Sequence, residues 1–153
     1  MTGGVAFGAW CPYDRLVRRT IGHRLFKLGQ IPKRRREALK AEGIRVLDEG
    51  IPVAITYRNY RAPGRFYAWR RSYGSGSVVV TGCRLFISYY RWPVFDLGLE
   101  DPRFGRIHLT SPTTDSLQIS FEAADLFLDR TGSVAIRIRS DEAATVLSYL
   151  RLR

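Results

Sequence analysis

Histidine and cysteine are scarce in this chain of 153 residues, with two of each. A structural zinc site needs three or four ligands at short paired spacings, whereas Cys11, His23, Cys83 and His108 each stand alone. A disulfide framework is typical of small secreted domains, and this chain is long enough to bury a core without one. We therefore predict reduced thiols, no metal site and no cofactor.

Long apolar runs are missing as well. The longest segments without charge, 1–13 and 72–83, are well short of the roughly 18 residues that a membrane-spanning helix needs. The first ten residues lack the positive leader and the apolar run of a secretory signal. We predict a cytoplasmic protein without a transmembrane segment, with a peripheral position at the membrane as the alternative.

Motifs that mark catalysis are also absent. The segment 74–77 (Gly-Ser-Gly-Ser) lacks the lysine and the following helix of a phosphate-binding loop, and it is typical of a hairpin turn. Asp96, Glu100 and Asp101 can in principle bind a cation, but Pro102 follows at once and no third partner type converges, which favours a charged turn. These observations favour a protein that is not an enzyme.

Positive charge is concentrated in the first half. Residues 1–73 contain 16 Lys and Arg against 5 Asp and Glu, whereas residues 74–153 contain 9 of each kind. Arginine provides 22 of the 25 basic residues, which indicates either selection for the phosphate-binding guanidinium group or a GC-rich genome. A basic face attracts phosphate-bearing surfaces and polymers, so the imbalance predicts anionic partners.

Two basic helices are predicted before the first strand. Apolar residues recur at helical spacing over 12–28, with Arg15, Arg18 and Arg19 on the other side. A second, surface helix is predicted over 32–42 and ends at Gly43. The first helix either packs on the rest of the protein or lies on an anionic membrane. We divide the chain into a flexible start (1–11), a basic helical extension (12–43) and a β domain (44–153).

From residue 44 onward the apolar period is two, and turn residues recur every eight to twelve positions. This pattern predicts an antiparallel meander in which alternate residues, such as Leu117, Ile119 and Phe121, point inward. The final segment, capped by Ser140, is predicted to be an amphipathic helix that covers the sheet. The candidate strands are 44–47, 52–60, 65–73, 77–81, 85–90, 106–110, 116–121 and 133–139.

This order of elements resembles the pleckstrin-homology-like (PH-like) superfold, including its bacterial and GRAM-type versions. The resemblance covers about residues 44–153 and rests on topology and two stretches, 78–85 (Val-Val-Val-Thr-Gly-Cys-Arg-Leu) and 131–133 (Thr-Gly-Ser). It implies an α+β, mainly antiparallel fold: a seven-stranded, partly open barrel capped by the C-terminal helix. It also implies a binding platform for lipid headgroups, peptides or proteins rather than a catalyst. The two basic N-terminal helices are an addition to that pattern.

Two clusters are candidate anion-binding sites. In the first predicted hairpin, cations alternate with aromatic residues, an arrangement that favours either single-stranded nucleic acid, a lipid headgroup or plain cross-strand packing. The spacing departs from the basic signature of phosphoinositide-binding PH domains, because Phe66 and Tyr67 follow Arg65. The candidate cations are Arg15, Arg18, Arg19, Lys33, Arg34, Arg35, Arg36, Lys40, Arg58, Arg61, Arg65, Arg70 and Arg71, and the candidate aromatic contacts are Tyr60, Tyr67 and Trp69.

From the sequence we predict a non-enzymatic, PH-like interaction module that binds an anionic protein or membrane surface through these two clusters. The alternative is a nucleic-acid-binding protein that uses the same residues, which the isoelectric point of about 10.4 favours. No helix-turn-helix, zinc-finger or RNP-type motif supports that alternative. Oligomeric state does not follow from the sequence.

Overall fold

Seven antiparallel strands form one curled sheet in the computed structural model, which describes residues 30–151. In chain order the strands are β1 (Ile44–Ala62), β2 (Arg65–Thr81), β3 (Arg84–Tyr89), β4 (Trp92–Gly98), β5 (His108–Thr110), β6 (Ser116–Glu122) and β7 (Thr131–Arg139). The order across the sheet is β4-β3-β2-β1-β7-β6-β5, so β1 joins the first four strands to the last three. This half-barrel, with its C-terminal helix, has the predicted α+β, mainly antiparallel architecture.

The two longest strands cross positions that the sequence predicts as turns. Segment 48–50 is a bulge inside β1, where the register shifts and Gly50 has a φ of 71°. Segment 74–76 lies within β2, and a Cβ at Gly76 would overlap the carbonyl oxygen of Ser88 and come within 2.7 Å of Val53 Cγ2. Both predicted turns are wrong, because these glycines permit a bulge and a close strand approach instead.

Strand β4 is missing from the sequence prediction. Pro93 and Asp96 lie within it, and both residue types are depleted in strands. The sheet order explains their presence, since β4 is an edge strand and an edge tolerates a missing backbone donor. The β5 prediction is too long, because Pro102–Arg106 forms a 3-10 turn. A short helix, α2 (Ala123–Leu126), was not predicted.

Helix α1 (Lys33–Ala41) lies within the range predicted for the second helix, with Pro32 before it and Gly43, at a φ of 83°, after it. Although it lies on the surface, one face is buried: Leu39 and the preceding Ile31 pack on Val79 and Phe86 of β2 and β3. The predicted flexible start and the predicted helix over 12–28 lie outside the described residues.

The main core fills the concave side of the sheet. The inward residues of β6 and β7 are buried as predicted, and so is the apolar stripe of helix α3 (Ala143–Arg151). Ser140 accepts a hydrogen bond from the Glu142 N–H at 3.0 Å and donates one to Asp48 at 2.5 Å, which ties the start of α3 to β1. Within residues 30–151, no helix combines the length and the apolar character needed to cross a bilayer.

Candidate anion-binding surface

The β1–β2 hairpin turns at Pro63 and Gly64, and Gly64 has the positive φ, 73°, that this turn requires. Strand residues near the turn include Arg58, Arg61, Arg65 and Arg70, which we name the hairpin arginines; all four are exposed. Among residues 30–151, no carboxylate lies within ion-pair distance of any of them. Their charges are therefore not neutralised inside the described part of the molecule.

Arginines elsewhere in the structure behave differently. Arg84 binds Glu42 at 2.9 Å and Asp96 at 2.8 Å, and Arg103 binds Asp101 at 2.7 Å. Hydrogen bonds from Cys83, Arg84 and Thr81 lower the pKa of Glu42, although burial alone would raise it. Those arginines hold loops and strands together, whereas the hairpin arginines have no carboxylate partner among residues 30–151.

Aromatic rings support the guanidinium groups of the hairpin. Arg61 lies 4.5 Å from the ring centre of Phe66, and Arg70 lies 4.9 Å from that of Tyr67. Phe66 and Trp69 are large apolar side chains, yet they are 54% and 59% exposed. A cation on an aromatic face keeps its charge while the ring orients it, so the hairpin presents positive charge next to exposed aromatic surface.

Two of the three predicted aromatic contacts face inward. Tyr57, Tyr60 and Tyr67 form a cluster with ring centres 4.8 to 6.0 Å apart, and Tyr60 is only 7% exposed. Burial raises the pKa of Tyr57, the neighbouring tyrosines add to the increase, and Arg70 and Arg65 oppose it. Tyr60 therefore offers no face to a ligand, whereas the third predicted residue, Trp69, does.

Tyr57 and Tyr60 of this cluster form part of the wall of a cavity of about 710 Å³ in the half-barrel. Its inner wall is apolar and includes Ile55, Phe121 and Ile136. We name its opening the mouth; the rim residues are Arg65, Trp92, Arg103, Phe127 and Arg130. Arg130 stacks on Phe127 at 4.3 Å and lies 3.6 Å from Asp129, so the rim combines cations with aromatic rings.

The sequence prediction missed the apolar residues at the mouth. Trp92 is 67% exposed, Phe127 is also exposed, and the adjacent Leu128 is fully exposed. The sequence contained a signal that could have identified them. These large apolar residues stand beside turn residues and outside the alternating apolar pattern that indicated the strands. Large apolar side chains that are exposed near cations indicate a binding surface, because a surface that contacts only water does not require them.

Helix α1 contributes its cations unequally. Arg36 binds Glu49 through both carboxylate oxygens, and Arg35 lies 3.6 Å from Asp96 and 5.3 Å from the ring centre of Phe86. These two predicted site residues hold α1 on the sheet. Lys33, Arg34 and Lys40 are exposed. Arg15, Arg18 and Arg19 lie outside the described residues.

Arg71, the last predicted site residue, lies on the outer face of the sheet, where its Nε donates to Thr56 Oγ1 at 3.0 Å. Within the described part of the chain, no three His, Cys, Asp or Glu side chains are grouped as a metal site would require. A charged turn was predicted at Asp96, Glu100 and Asp101. Asp101 lies in such a turn and accepts a hydrogen bond from the Arg103 N–H at 2.9 Å, whereas Asp96 lies in β4.

No model of a known protein family matches this chain, and no curated protein matches it. What the surface can bind therefore follows from its own side chains. The surface combines exposed aromatic rings, an apolar cavity and cations that have no carboxylate partner among residues 30–151. This combination favours a partner that is anionic and also partly apolar.

Proposed function

We propose that this chain is a non-enzymatic, PH-like interaction module that docks on an anionic membrane surface through the hairpin arginines and the mouth. The strand order and the C-terminal helix support the PH-like assignment, because a partly open seven-stranded barrel with a terminal helix is what that resemblance implies. The cytoplasmic leaflet is the proposed place of action, since it carries the anionic lipids.

The observation that carries the proposal is that the hairpin arginines have no carboxylate partner in the described part of the chain. Four exposed guanidinium groups share one hairpin, and no carboxylate in residues 30–151 pairs with them. Like charges at this density repel one another, and an anionic surface relieves that repulsion. The exposed cations of α1, Lys33, Arg34 and Lys40, add long-range attraction.

A membrane fits this surface better than a purely polar anionic partner. Trp92, Phe127 and Leu128 are exposed beside the cations, and tryptophan is enriched at the boundary between headgroups and acyl chains. Burying such side chains in the interface adds hydrophobic free energy to the electrostatic attraction. A folded protein can also cover them, and vesicle binding by the purified chain separates the two partners.

Nucleic acid is the second candidate because of Phe66 and Trp69. Both rings are exposed on the hairpin, and Arg61 and Arg71 lie over them at 4.5 and 5.7 Å. Bases can stack on such rings while arginines neutralise the phosphates. This alternative predicts binding without any contribution from Trp92 or Leu128.

The test is cosedimentation of the full chain with vesicles of phosphatidylserine and phosphatidylcholine, beside a variant with Arg61, Arg65 and Arg70 all changed to Gln. Each cation near an anionic leaflet contributes about 1 kcal/mol, so the variant is expected to lose about 3 kcal/mol, or about a hundredfold in affinity, at low salt. Vesicles of phosphatidylcholine alone are expected to bind weakly.

A control variant with Lys33, Arg34 and Lys40 changed to Gln removes the same charge from α1. We expect a smaller loss of vesicle binding, since none of these three side chains lines the mouth, whereas Arg65 does. Equal losses in the two variants would show that net charge alone matters. Tight binding to single-stranded oligonucleotides without binding to vesicles would instead support the second candidate.

A further inference from the structure

The cavity behind the mouth is large and has an apolar inner wall. Its volume of about 710 Å³ is typical of sites that enclose a small ligand. Ile55 and Ile136, which pair across β1 and β7, line one side, and Leu97 of β4 also lines the cavity; all three are buried. At about 30 Å³ for each water-sized group, the cavity has room for about 20 such groups, enough for one long acyl chain.

Two phenylalanine rings meet across the concave side of the sheet. The ring centres of Phe95 in β4 and Phe121 in β6 lie 5.8 Å apart, and both residues line the cavity. Strands β4 and β6 are not neighbours in the sheet, so the curl of the half-barrel brings them together. A chain of methylene groups between these walls would exchange water for apolar contacts, which favours binding.

Two arginines of the rim lie at the hairpin end of β1. Arg65 pairs with Ala62, the last residue of β1, and Arg130 directly precedes β7, whose first residue pairs with β1 one position earlier. Arg65 has no carboxylate partner among residues 30–151. Arg130 Nε lies 3.6 Å from Asp129, beyond hydrogen-bond distance, and has no hydrogen-bond partner in the described chain. These two guanidinium groups can therefore receive one anionic headgroup.

The other charged side chains that line the cavity are engaged with each other or with nearby loops. Asp96 is bound by Arg84 at 2.8 Å and also lies 3.6 Å from Arg35. Arg103 is bound to Asp101 at 2.7 Å. The negative charge of Asp96 is therefore balanced, and the opening retains a positive charge from the two rim arginines beside β1.

Two tyrosine hydroxyls add polar groups to the wall. Tyr57 and Tyr60 both line the cavity, and among residues 30–151 neither hydroxyl has a hydrogen-bond partner. A buried tyrosine usually has such a partner, and Tyr60 is only 7% exposed. Burial is the main cause that raises the pKa of Tyr57, so this hydroxyl stays protonated and can donate a hydrogen bond to a ligand oxygen.

We propose that the cavity binds one molecule of a long-chain fatty acid, with its acyl chain between β4 and β7 and its carboxylate between Arg65 and Arg130. The planar guanidinium group matches a carboxylate in shape and charge. The fatty-acid site rests on the proposed function, because a mouth that docks on a bilayer would take up its ligand there. Free fatty acid is the assigned ligand, since one chain fills the estimated room.

Isothermal titration of the full chain without vesicles tests this site, with each ligand below its micellar concentration. Decanoate is expected to bind, and decanol, which has the same chain without the charge, is expected to bind about tenfold more weakly. Dodecanoate should bind about fifteenfold more tightly than decanoate, because each added methylene group that is buried contributes about fourfold.

Val94→Trp tests the position of the acyl chain. Val94 is a partly buried residue of the edge strand β4 that lines the cavity, so an indole there would take the room of the chain and abolish decanoate binding. Thr110→Trp is the matched control, since Thr110 is a β-branched residue on the edge strand β5 and does not line the cavity. This control should bind decanoate as the unchanged protein does.

A variant with Arg65 and Arg130 both changed to Gln tests the position of the carboxylate. It should bind decanoate about tenfold more weakly or worse, because two charged donors are lost, and its preference for decanoate over decanol should disappear. Arg151→Gln removes an exposed charge on α3 and should leave both affinities unchanged. Thermal unfolding identifies any variant that fails to fold, and the comparison of decanoate with decanol on the unchanged protein then decides the outcome.

The fatty-acid site is overturned if decanoate does not bind, if decanol binds as tightly as decanoate, or if a folded Val94→Trp protein binds decanoate normally. The unchanged protein also enters the vesicle assay, which separates the two proposals. Vesicle binding without decanoate binding would overturn the fatty-acid site alone. Decanoate binding without vesicle binding would support the site and overturn only the docking on a membrane.

Discussion

Gly76 of β2 pairs with both β1 and β3, at a position that has no room for a side chain. A methyl group at this position would overlap the Ser88 carbonyl oxygen, which is backbone and part of the sheet, and would press on Val53. We predict that Gly76→Ala lowers the free energy of unfolding by about 2 kcal/mol or more, since overpacking of a tight interior commonly costs about 1 to 3 kcal/mol. Chemical denaturation of the two proteins measures this difference.

Gly105→Ala is the matched control. A Cβ added at Gly105 would have no heavy atom within 4 Å, and this glycine has no positive φ, so the methyl group meets open space. We expect a change within about 0.5 kcal/mol, as for most surface substitutions. Equal stability of the two alanine variants would mean that β2 and β3 are not packed as closely as the structure has them.

Composition alone does not predict which arginines pair with a carboxylate. Arg36 and Arg61 both occur in basic segments of the sequence, yet Arg36 is bound to Glu49 whereas Arg61 lies over Phe66 without a carboxylate partner in the described residues. The partner of Arg36 is 13 positions away and comes close only after β1 and α1 pack together. The density of positive charge could be predicted from the sequence. Which of these arginines binds a carboxylate of the described residues depends on tertiary structure.

At the scale of elements, the Glu49 carboxylate of β1 joins α1 and the residue Ile31 before it to the sheet. Glu49 accepts hydrogen bonds from the Ile31 N–H at 2.7 Å and from Arg36 at 2.6 Å, and both side chains of the ion pair are largely shielded from water. We predict that Glu49→Gln lowers the free energy of unfolding by about 2 to 3 kcal/mol, toward the low end for a broken buried pair. Urea unfolding measures the loss, and faster amide exchange over 33–41 would locate it.

Glu37→Gln makes the same chemical change at an exposed position on α1. We expect little effect on stability and on amide exchange in the helix, because exposed charges contribute about 0 to 1 kcal/mol. If Glu49→Gln behaves like this control, the apolar contacts of Ile31 and Leu39 hold α1 without the ion pair.

Local patterns predicted some elements well and failed at others for physical reasons. The alternation in β6 and β7 and the stripe in α3 identified buried faces, because one side of each element packs on the core. Glycine and acidic residues in β1 and β2 indicated turns, although long bent strands need the same residues for bulges and close contacts. Pro93 obscured β4, whose position at the edge depends on the whole sheet.

The candidate sites were less predictable than the elements. The hairpin cations followed from local sequence, since Arg58 to Arg71 lie on two adjacent strands. Arg137 and His108, in contrast, line the same pocket only through pairing of β1, β7, β6 and β5. The same holds for Trp92 and Phe127, which meet at the mouth although they are far apart in the chain. The local sequence could identify Trp92 and Phe127 as unusual, but their meeting at the mouth depends on long-range pairing.

At the scale of the whole molecule, the surplus of positive charge and the exposed apolar residues coincide. Residues 1–73 carry the excess of Lys and Arg, and Arg65, one of the hairpin arginines in this half, lies on the rim of the mouth together with Trp92 and Phe127, which are exposed residues of the second half. The fold therefore combines charge from one half with apolar side chains from the other. Vesicle binding should weaken with salt but retain a salt-resistant part from the apolar residues.

The most direct test of membrane docking uses Trp92 as a probe. Replacing Trp10 and Trp69 by Phe leaves Trp92 as the only tryptophan of the full chain. With vesicles of phosphatidylserine, docking through the mouth predicts a blue shift of its emission and quenching by lipids with brominated acyl chains, because the indole enters the interface. Binding to the vesicles with unchanged emission and no quenching of Trp92 would contradict docking through the mouth.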